Sequence, residues 1–424
     1  MVGEIKRFFY FPIAYYFKFF AKIQLGIWKP RVIVVTGSSG KTTLLHLIES
    51  QLQTKAKYSH QANSSYGIPF DILGLKRKTL MPDEWFYLFI LAPFKAFKTP
   101  PKEKIYVVEA DCDRPGEGRF LATLLKPEIT LWISSSLTHS MNFDNLNFPS
   151  VEEAIAYEFG YFLQLTQKLC IVNGDSSLIQ KQIKRTNIPV KTITKKLLNF
   201  YEVFKDHTEF NIDNKKYSFN FLLPKDTFYS IQMTLALMDF LKVEPDYSFS
   251  KFSLTPGRCT LFKGIKDTTI IDSSYNATPD ALRTILEMFD QYPAQNKWLV
   301  LGDMIELGNE EKEEHEKIGD IIKKMKLEKI ILVGPRVSKY TYPAIEQSNN
   351  LPRRQAGRTV VNFLMPKDAL TYLETNLKSG ETILFKGARF LEGIIEHLLA
   401  NKQDVNKLCR QEKVWKERRR QWGL

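Results

Sequence analysis

Cysteine is scarce. Only Cys112, Cys170, Cys259 and Cys409 occur in 424 residues, and they are scattered. No two stand in a CxxC spacing, so neither a zinc site nor a disulfide framework is indicated. A reducing compartment, the cytoplasm, fits this usage. Long uninterrupted apolar runs are missing too. The most apolar segment, Phe8 to Trp28, is interrupted by Lys18 and Lys22. Its start is expected to be broken by Pro12. A membrane-spanning helix needs roughly 20 mostly apolar residues, which makes a transmembrane reading weak. A signal peptide would need a clean apolar core and a small-residue cleavage site, and neither is clear. No internal repeat or low-complexity tract stands out.

The rest is the composition of an ordinary globular chain, with 44% hydrophobic and 25% charged residues. At roughly 100–200 residues per domain, two or three domains are expected. The net charge of +13 suits phosphate-rich substrates, an anionic membrane surface or nucleic acid, and alone does not choose among them. The run Lys413 to Arg420 reads equally as a solvated terminal helix or a binding element. Phe8 to Trp28 reads equally as an amphipathic segment on a membrane surface or as a helix packed on the protein's own body.

Along the chain, strands and helices alternate. The β-branched run Val32 to Val35 reads as a buried strand, and Lys41 to Leu52 as the helix after it. Ile105–Glu109, Ile129–Ile133 and Leu169–Val172 read as further strands, with a helix at Val151–Leu165. Lys205 to Phe221 looks like a small antiparallel excursion, followed by a helix at Asp226–Leu241. After Pro256-Gly257 the rhythm restarts. Strands are expected at Thr269–Asp272, Trp298–Leu301, Ile330–Val333 and Thr382–Phe385, with helices at Pro279–Phe289 and Glu311–Met325. Thr278-Pro279 supplies an N-cap and a first-turn proline, and Leu282, Ile285, Leu286 and Phe289 share one face. The fold class is α/β: a central domain with a mostly parallel sheet, then a Rossmann-like domain. The expected divisions are 1–29, 30–257, 258–405 and a basic tail 406–424.

The strongest local motif is Thr36-Gly37-Ser38-Ser39-Gly40-Lys41-Thr42-Thr43, between a strand and a helix. That is the setting of a phosphate loop. Glycines let backbone N–H groups approach phosphates, and the helix N-terminus adds a favourable field. Lys41 would meet β/γ-phosphate charge and the Thr42 hydroxyl would ligate magnesium. ATP and Mg2+ are the expected cofactors. The motif departs from the general GxxxxGK[ST] form at Val35, where the first glycine would stand.

The stretch VVTGSSGKTT resembles the phosphate loop of the Mur ligase family, and further segments match that family in order. These are Asn63 to Pro69, Val108-Glu109 with Pro115-Gly116-Glu117, Thr138-His139, Gly257-Arg258, and Ile271 to Asp280. Gly302 to Gly308 and Lys386-Gly387-Ala388-Arg389 resemble the MurF branch, which joins D-alanyl-D-alanine to UDP-N-acetylmuramoyl-tripeptide. The resemblance implies a peptide ligase of cell-wall synthesis that activates a carboxylate as an acyl phosphate. It implies that Thr42 and Glu109 hold one magnesium, and His139 with Glu109 a second. Arg258 would reach the ATP phosphates, Asp272 the ribose, and Asn276 would lie near the nucleotide. Lys41, Glu109, His139 and Arg258 are the expected catalytic set; Gly37 to Thr43, Arg258, Asp272 and Asn276 the nucleotide-binding set. Partners would be a carboxylate substrate and an amino acid or dipeptide amine, with no nucleic acid, in the cytoplasm or at the inner face of the membrane.

Three departures from the family stand out. Its N-terminal UDP-sugar-binding domain is not expected before this loop. Tyr157 occupies the place of the lysine that is carbamylated to ligate the second magnesium. Ser230 stands where many relatives have an asparagine. Two other classes stay open beside the ligase: an NTPase switch, and a nucleotide-binding protein at the membrane without ligase activity.

Overall fold

The computed structural model describes residues 2–60, 62–77, 82–346 and 358–424, with the backbone alone at 2–8, 82 and 83; Phe8 falls in that last group. Two compact units divide the chain. The first holds Met1–Ser136, Asn145–Lys195 and Tyr229–Phe252; the second holds Leu137–Asp144, Lys196–Phe228 and Ser253–Leu424.

The first unit is built on a six-stranded sheet. Its order is Ala56–Tyr58, Ile105–Ala110, Arg31–Thr36, Ile129–Trp132, Leu169–Asn173, Val190–Ile193, with every pairing parallel. Ile33, Val34 and Val35 are fully buried on both sides of the pleat, which is why a continuous β-branched run sits there rather than an alternating one. From Arg31–Thr36 the chain first builds toward one edge and then toward the other. The loop after this strand therefore opens where the strand order reverses, the place where open α/β sheets bind ligands. Helix Val151–Leu165 starts at the Ser150 hydroxyl, which accepts from the Glu153 N–H at 3.2 Å; Glu152 and Glu153 add charge suited to its first turn.

Pro12 does not break the N-terminal segment. One helix, Val2–Trp28, runs through it. A helix-interior proline costs about 3 kcal/mol, but tertiary contacts along the helix offset that loss. Ala14, Phe17 and Ala21 are fully buried. The Phe17 ring packs against Phe70, Trp85 and Phe89. The Lys18 ammonium turns inward and donates to the Phe120 carbonyl at 2.7 Å and the Thr123 hydroxyl at 2.6 Å. Of the two charges that interrupt the segment, Lys18 therefore faces the protein's own body. The helix packs on its own unit along one face, and the other face stays open. No described helix is long and apolar enough to cross a membrane.

The second unit carries another six-stranded sheet, in the order Thr260–Lys263, Thr269–Ser273, Thr382–Lys386, Lys297–Gly302, Lys329–Val333, Thr359–Phe363. Only the first pair is antiparallel. Helix Pro279–Gln291 is capped by the Thr278 hydroxyl and buries Leu282, Ile285, Leu286 and Phe289, the face its spacing predicts. The small excursion is a three-stranded antiparallel sheet, Leu198–Val203, Thr208–Ile212 and Lys215–Phe219. Its last hairpin turns on Asp213 and Asn214, both at positive φ, as a two-residue type I′ turn requires. The basic run forms helix Lys413–Arg420; Arg419 is buried and pairs with Glu396 at 3.2 Å, while Lys413, Lys416, Arg418 and Arg420 are exposed.

In the first unit, helices Glu117–Leu125 and Val151–Leu165 meet at Gly118. A Cβ there would lie 2.1 Å from the Glu158 carbonyl oxygen. Gly118→Ala is expected to force the two helices apart and cost about 1–3 kcal/mol. Thermal unfolding followed by circular dichroism reads this as a lowered midpoint; an unchanged midpoint contradicts the packing.

Candidate active site

The loop Gly37–Gly40 ends strand Arg31–Thr36 and opens helix Lys41–Leu52. Gly37 adopts φ +133° and Gly40 φ +80°; a Cβ on Gly37 would lie 2.7 Å from the Ser134 carbonyl oxygen, so a side chain fits neither conformation nor space. The loop is stitched to the end of the neighbouring strand. The Ser38 hydroxyl donates to the Ser136 carbonyl at 2.9 Å and accepts from the Ser136 N–H at 2.8 Å. The Ser39 N–H donates to the Ser134 hydroxyl at 2.8 Å, and that hydroxyl donates back to the Ser39 carbonyl at 2.8 Å. These bonds hold the loop's backbone in place before any ligand arrives.

Lys41 is buried beneath the loop. Its Nζ donates to the Gly37 carbonyl at 2.5 Å and lies 2.7 Å from Asp111 Oδ2. Burial works against its charge, but Asp111 and Glu109 outweigh burial and hold its pKa above the ordinary lysine value, with Asp113 adding to the effect. Asp111 pairs with the ammonium, and Glu109 and Asp113 add negative charge to its surroundings. That excess of hard oxygen donors fits a divalent cation such as Mg2+. Thr42 and Thr43 stand in the first turn of the helix, and Glu109 at the end of strand Ile105–Ala110, its N–H donating to the Ser59 hydroxyl at 2.9 Å.

Asp111 was not singled out from sequence, although it stands two residues past the strand-end glutamate. Glu117 stands in the Pro115-Gly116-Glu117 segment with no role given to it from sequence, and Glu158 was open as a replacement for the anion missing at Tyr157. Glu117 is fully buried and joins three segments. Its Oε1 accepts from the Ser65 N–H at 2.8 Å and from the Tyr10 hydroxyl at 3.0 Å, and its Oε2 from the Asp113 N–H at 2.9 Å. Glu158 turns inward and accepts from the Gly116 and Gly118 N–H groups, each at 2.9 Å, capping the neighbouring helix; burial outweighs these donors and raises its carboxyl. Tyr157 points the other way, half-exposed, with the Arg185 guanidinium 4.2 Å above its ring.

His139, Arg258, Asp272 and Asn276 belong to the second unit. His139 adopts φ +49°, and its Nδ1 lies 2.5 Å from Glu306. The Arg258 guanidinium stacks 4.8 Å from the Tyr275 ring. Asp272 is fully buried at the end of its strand; Oδ1 accepts from the Ser274 N–H at 2.9 Å, while Oδ2 has no hydrogen-bond partner among the described residues, and burial raises the carboxyl. Lys386, from the Lys-Gly-Ala-Arg segment, donates to the Asn276 carbonyl. Asp303 binds three chain segments: Oδ1 accepts from the Arg336 and Val337 N–H groups, both at 3.0 Å, and Oδ2 pairs with Arg389 at 2.8 Å. Buried His315 donates from Nδ1 to the Glu311 carbonyl at 2.6 Å and accepts at Nε2 from the Met304 N–H at 3.2 Å. Both nitrogens are used as a neutral imidazole uses them, in line with a pKa lowered by burial.

A phosphate loop at the reversal point of a parallel sheet, in a chain that also carries a second Rossmann-type unit, defines a nucleotide-dependent α/β enzyme. Residues 35–238 match the Mur ligase middle domain, and residues 257–389 match the glutamate ligase domain of Mur ligases. The chain belongs to the Mur ligase family. It is 25% identical over 405 residues to the UDP-N-acetylmuramoyl-tripeptide–D-alanyl-D-alanine ligase of Bacillus subtilis, covering 89% of this chain and 78% of that one. It is also 25% identical over 379 residues to the ligase of the same name from Rickettsia prowazekii, covering 85% and 76%. The crystal structure of MurF ligase from Thermotoga maritima in complex with ADP superposes with a TM-score of 0.70 at 22% identity, covering 93% of this chain and 84% of that one, a likeness of fold.

Lys386 supplies a test of the second unit. Burial pushes its ammonium down from 10.5 to about 8. Between those values the unfolded chain binds a proton that the folded chain has released, so stability rises with pH across that window and levels off above it. In nucleotide-free protein, Lys386→Met is expected to flatten the rise in melting temperature from pH 8 upward. Identical pH profiles for wild type and variant contradict the burial of this charge.

Proposed function

We propose that this chain is an ATP-dependent carboxylate–amine ligase of the MurF kind, working in cell-wall peptide synthesis in the cytoplasm. The observation that carries the reading is the buried Lys41 ammonium, held by Asp111 and the Gly37 carbonyl at the mouth of a pre-stitched phosphate loop. We read residues 30–257 as the ATP-binding domain, 258–405 as the C-terminal ligase domain, and 1–29 and 406–424 as flanking segments.

The reaction takes two steps. A carboxylate oxygen of the acid attacks the γ-phosphorus of ATP, giving an acyl phosphate and ADP. The amine nitrogen then attacks the acyl carbon, the C–O bond to phosphate breaks, and amide and inorganic phosphate leave. Little covalent chemistry falls to the protein; it positions groups and neutralises charge. The Ser38 and Ser39 N–H groups are already given to Ser134, so the N–H groups of Gly40 to Thr43 at the helix start are the ones that would cradle the phosphates, and Lys41 meets the charge that builds on the transferred group. Thr42 and Glu109 would hold one Mg2+, and His139 with Glu109 a second; the ions would supply positive charge to the phosphate oxygens. Arg258 contacts the phosphates, Asp272 the ribose and Asn276 the nucleotide. The acid is a peptide carboxylate and the amine an amino acid or dipeptide. The tripeptide and D-alanyl-D-alanine that name the relatives are the first pair to try. The N-terminal helix adds a peripheral membrane contact through residues 8–28.

The test is ADP release from a panel of acids, with and without amine; ATP hydrolysis indifferent to every amine would point instead to a switch NTPase. Lys41→Ala is expected to lower amine-dependent ADP release by at least about 10²-fold. Because it also strands the buried Asp111 carboxylate, Lys41→Ala/Asp111→Asn is measured beside it. The double variant should regain thermal stability and stay inactive, and recovered turnover overturns the role of Lys41.

A second expectation concerns Tyr157. Its phenol does not replace the anionic oxygen of a carbamate as a ligand to a hard cation. Both Glu158 oxygens already accept backbone N–H groups. Removal of carbon dioxide and bicarbonate should leave the rate unchanged. A rate restored only by added bicarbonate would show that a carbamylated lysine takes part after all.

A further inference from the structure

Helix Val2–Trp28 does not lie alone on the first unit. Helix Pro82–Ala96 runs beside it, the Tyr16 hydroxyl donating to the Phe89 carbonyl at 2.8 Å and the two rings packing at 4.9 Å. Leu88, Ala92 and Ala96 of this second helix face inward and are buried. Its opposite face is as apolar as the buried one. Phe86, Tyr87, Ile90 and Phe94 fall within an arc of about 100°, and Phe86 and Phe94 are 74% and 72% exposed. Phe97 follows at 70%. On the first helix, Phe9, Tyr15, Phe19 and Ile27 are exposed as well. The rings of Phe19, Phe20, Tyr16 and Phe89 touch in series, which ties the open face of the first helix to the second helix. Isolated surface rings need no explanation, but a contiguous array of this kind marks an interaction site.

Within the stretches that carry the exposed rings the charges have one sign; Glu4 in the first helix and Asp83 and Glu84 at the start of the second lie outside them. From Phe9 to Trp28 and from Trp85 to Lys98 the sequence holds no Asp or Glu, while Lys22, Lys95 and Lys98 punctuate it. At its flank a groove of about 780 Å³ is lined by Tyr15, Phe19, Lys22 and Arg119 among others. Lys22 and Arg119 both press on buried Lys18, whose pKa falls to about 8, chiefly through burial, and no carboxylate is among the groups that act on it. A partner that offers hydrocarbon depth beneath a layer of phosphates complements both features at once. A protein partner would need an apolar socket and an acidic rim in the same register.

We infer that the paired helices Val2–Trp28 and Pro82–Ala96 form a docking platform for an anionic phospholipid bilayer, with Lys22 and Arg119 receiving headgroup phosphates in the flanking groove. This rests on the peripheral contact proposed for residues 8–28 and extends it to a second helix and a charge requirement. The rings enter the interface to the depth of the headgroup and acyl boundary, and the cations add attraction that salt screens.

Flotation of the full chain with phosphatidylcholine vesicles, alone or mixed with phosphatidylglycerol, tests it. Wild type should float with the mixed vesicles and release them as salt rises. Phe86→Ser/Phe94→Ser and Lys22→Glu/Arg119→Glu, all at exposed positions, should each lower partitioning by at least roughly tenfold. Melting temperature and circular dichroism confirm that the variants fold, and amine-dependent ADP release by the Phe86/Phe94 variant in lipid-free solution should match wild type. If wild type fails to float, the peripheral contact falls together with this platform. If wild type floats and the Phe86/Phe94 variant floats equally, the contact through residues 8–28 stands and the second helix has no part in it. Wild type that stays with the protein fraction but sediments as an oligomer, reverting to monomer in the Phe86/Phe94 variant, would make the surface a protein interface and overturn the bilayer assignment.

Discussion

Lys41 and Asp111, 2.7 Å apart and both buried, set the terms for the first unit. An isolated ammonium in such a place would lose its proton, and an isolated carboxylate would gain one. Together they stay charged, and the lysine is held under the loop rather than out in solvent. That geometry has a second consequence. The loop must close over its own lysine, so Gly37 takes a conformation no other residue adopts easily, and Ser38 and Ser39 anchor both flanks to Ser134 and Ser136. Preorganised N–H groups are the result, obtained from the same bonds that shield the ion pair.

The second unit solves a similar problem with Asp303. A buried aspartate collects two backbone N–H groups and the Arg389 guanidinium, so the segments after strands Lys297–Gly302, Lys329–Val333 and Thr382–Lys386 are drawn to one point. Such a fully engaged charge fixes loop positions that apolar packing alone leaves loose. It also explains why Gly302 and Gly387 are glycines: a Cβ at either would run into the backbone of the other segment, 1.9 Å from the Ala388 oxygen or 2.5 Å from the Gly302 oxygen.

Much of this was legible from sequence wherever one local rule dominates. Helices Lys41–Leu52 and Val151–Leu165 span the residues that the glycine turn and the helical pattern of the sequence put in them. The helix at Thr278 carries cap, proline and apolar face together. The misses have tertiary causes. Pro12 looked like a breaker, yet the burial of Phe17 and Lys18 overrides it. Helix Pro82–Ala96 has no amphipathic period to detect, because its outer face is as apolar as its inner one. Strand Thr359–Phe363 and helix Pro366–Asn376 are placed by pairing and packing within the second unit rather than by any motif. Glu117 and Asp303 lie in segments the family resemblance covers, but what each does, like the pairing of Asp111 with Lys41, depends on hydrogen bonds that no spacing reveals.

Glu117 Oε1 is shared. It accepts from the Tyr10 hydroxyl of the N-terminal helix and from the Ser65 N–H of the Asn63–Pro69 segment. The other oxygen takes the N–H of Asp113, two residues past the Asp111 that holds Lys41. The N-terminal helix and the segment that carries Asp111 thus share one buried carboxylate. Pulling Tyr10 away would leave that carboxylate one donor short, a cost borne next to the ground on which the loop stands.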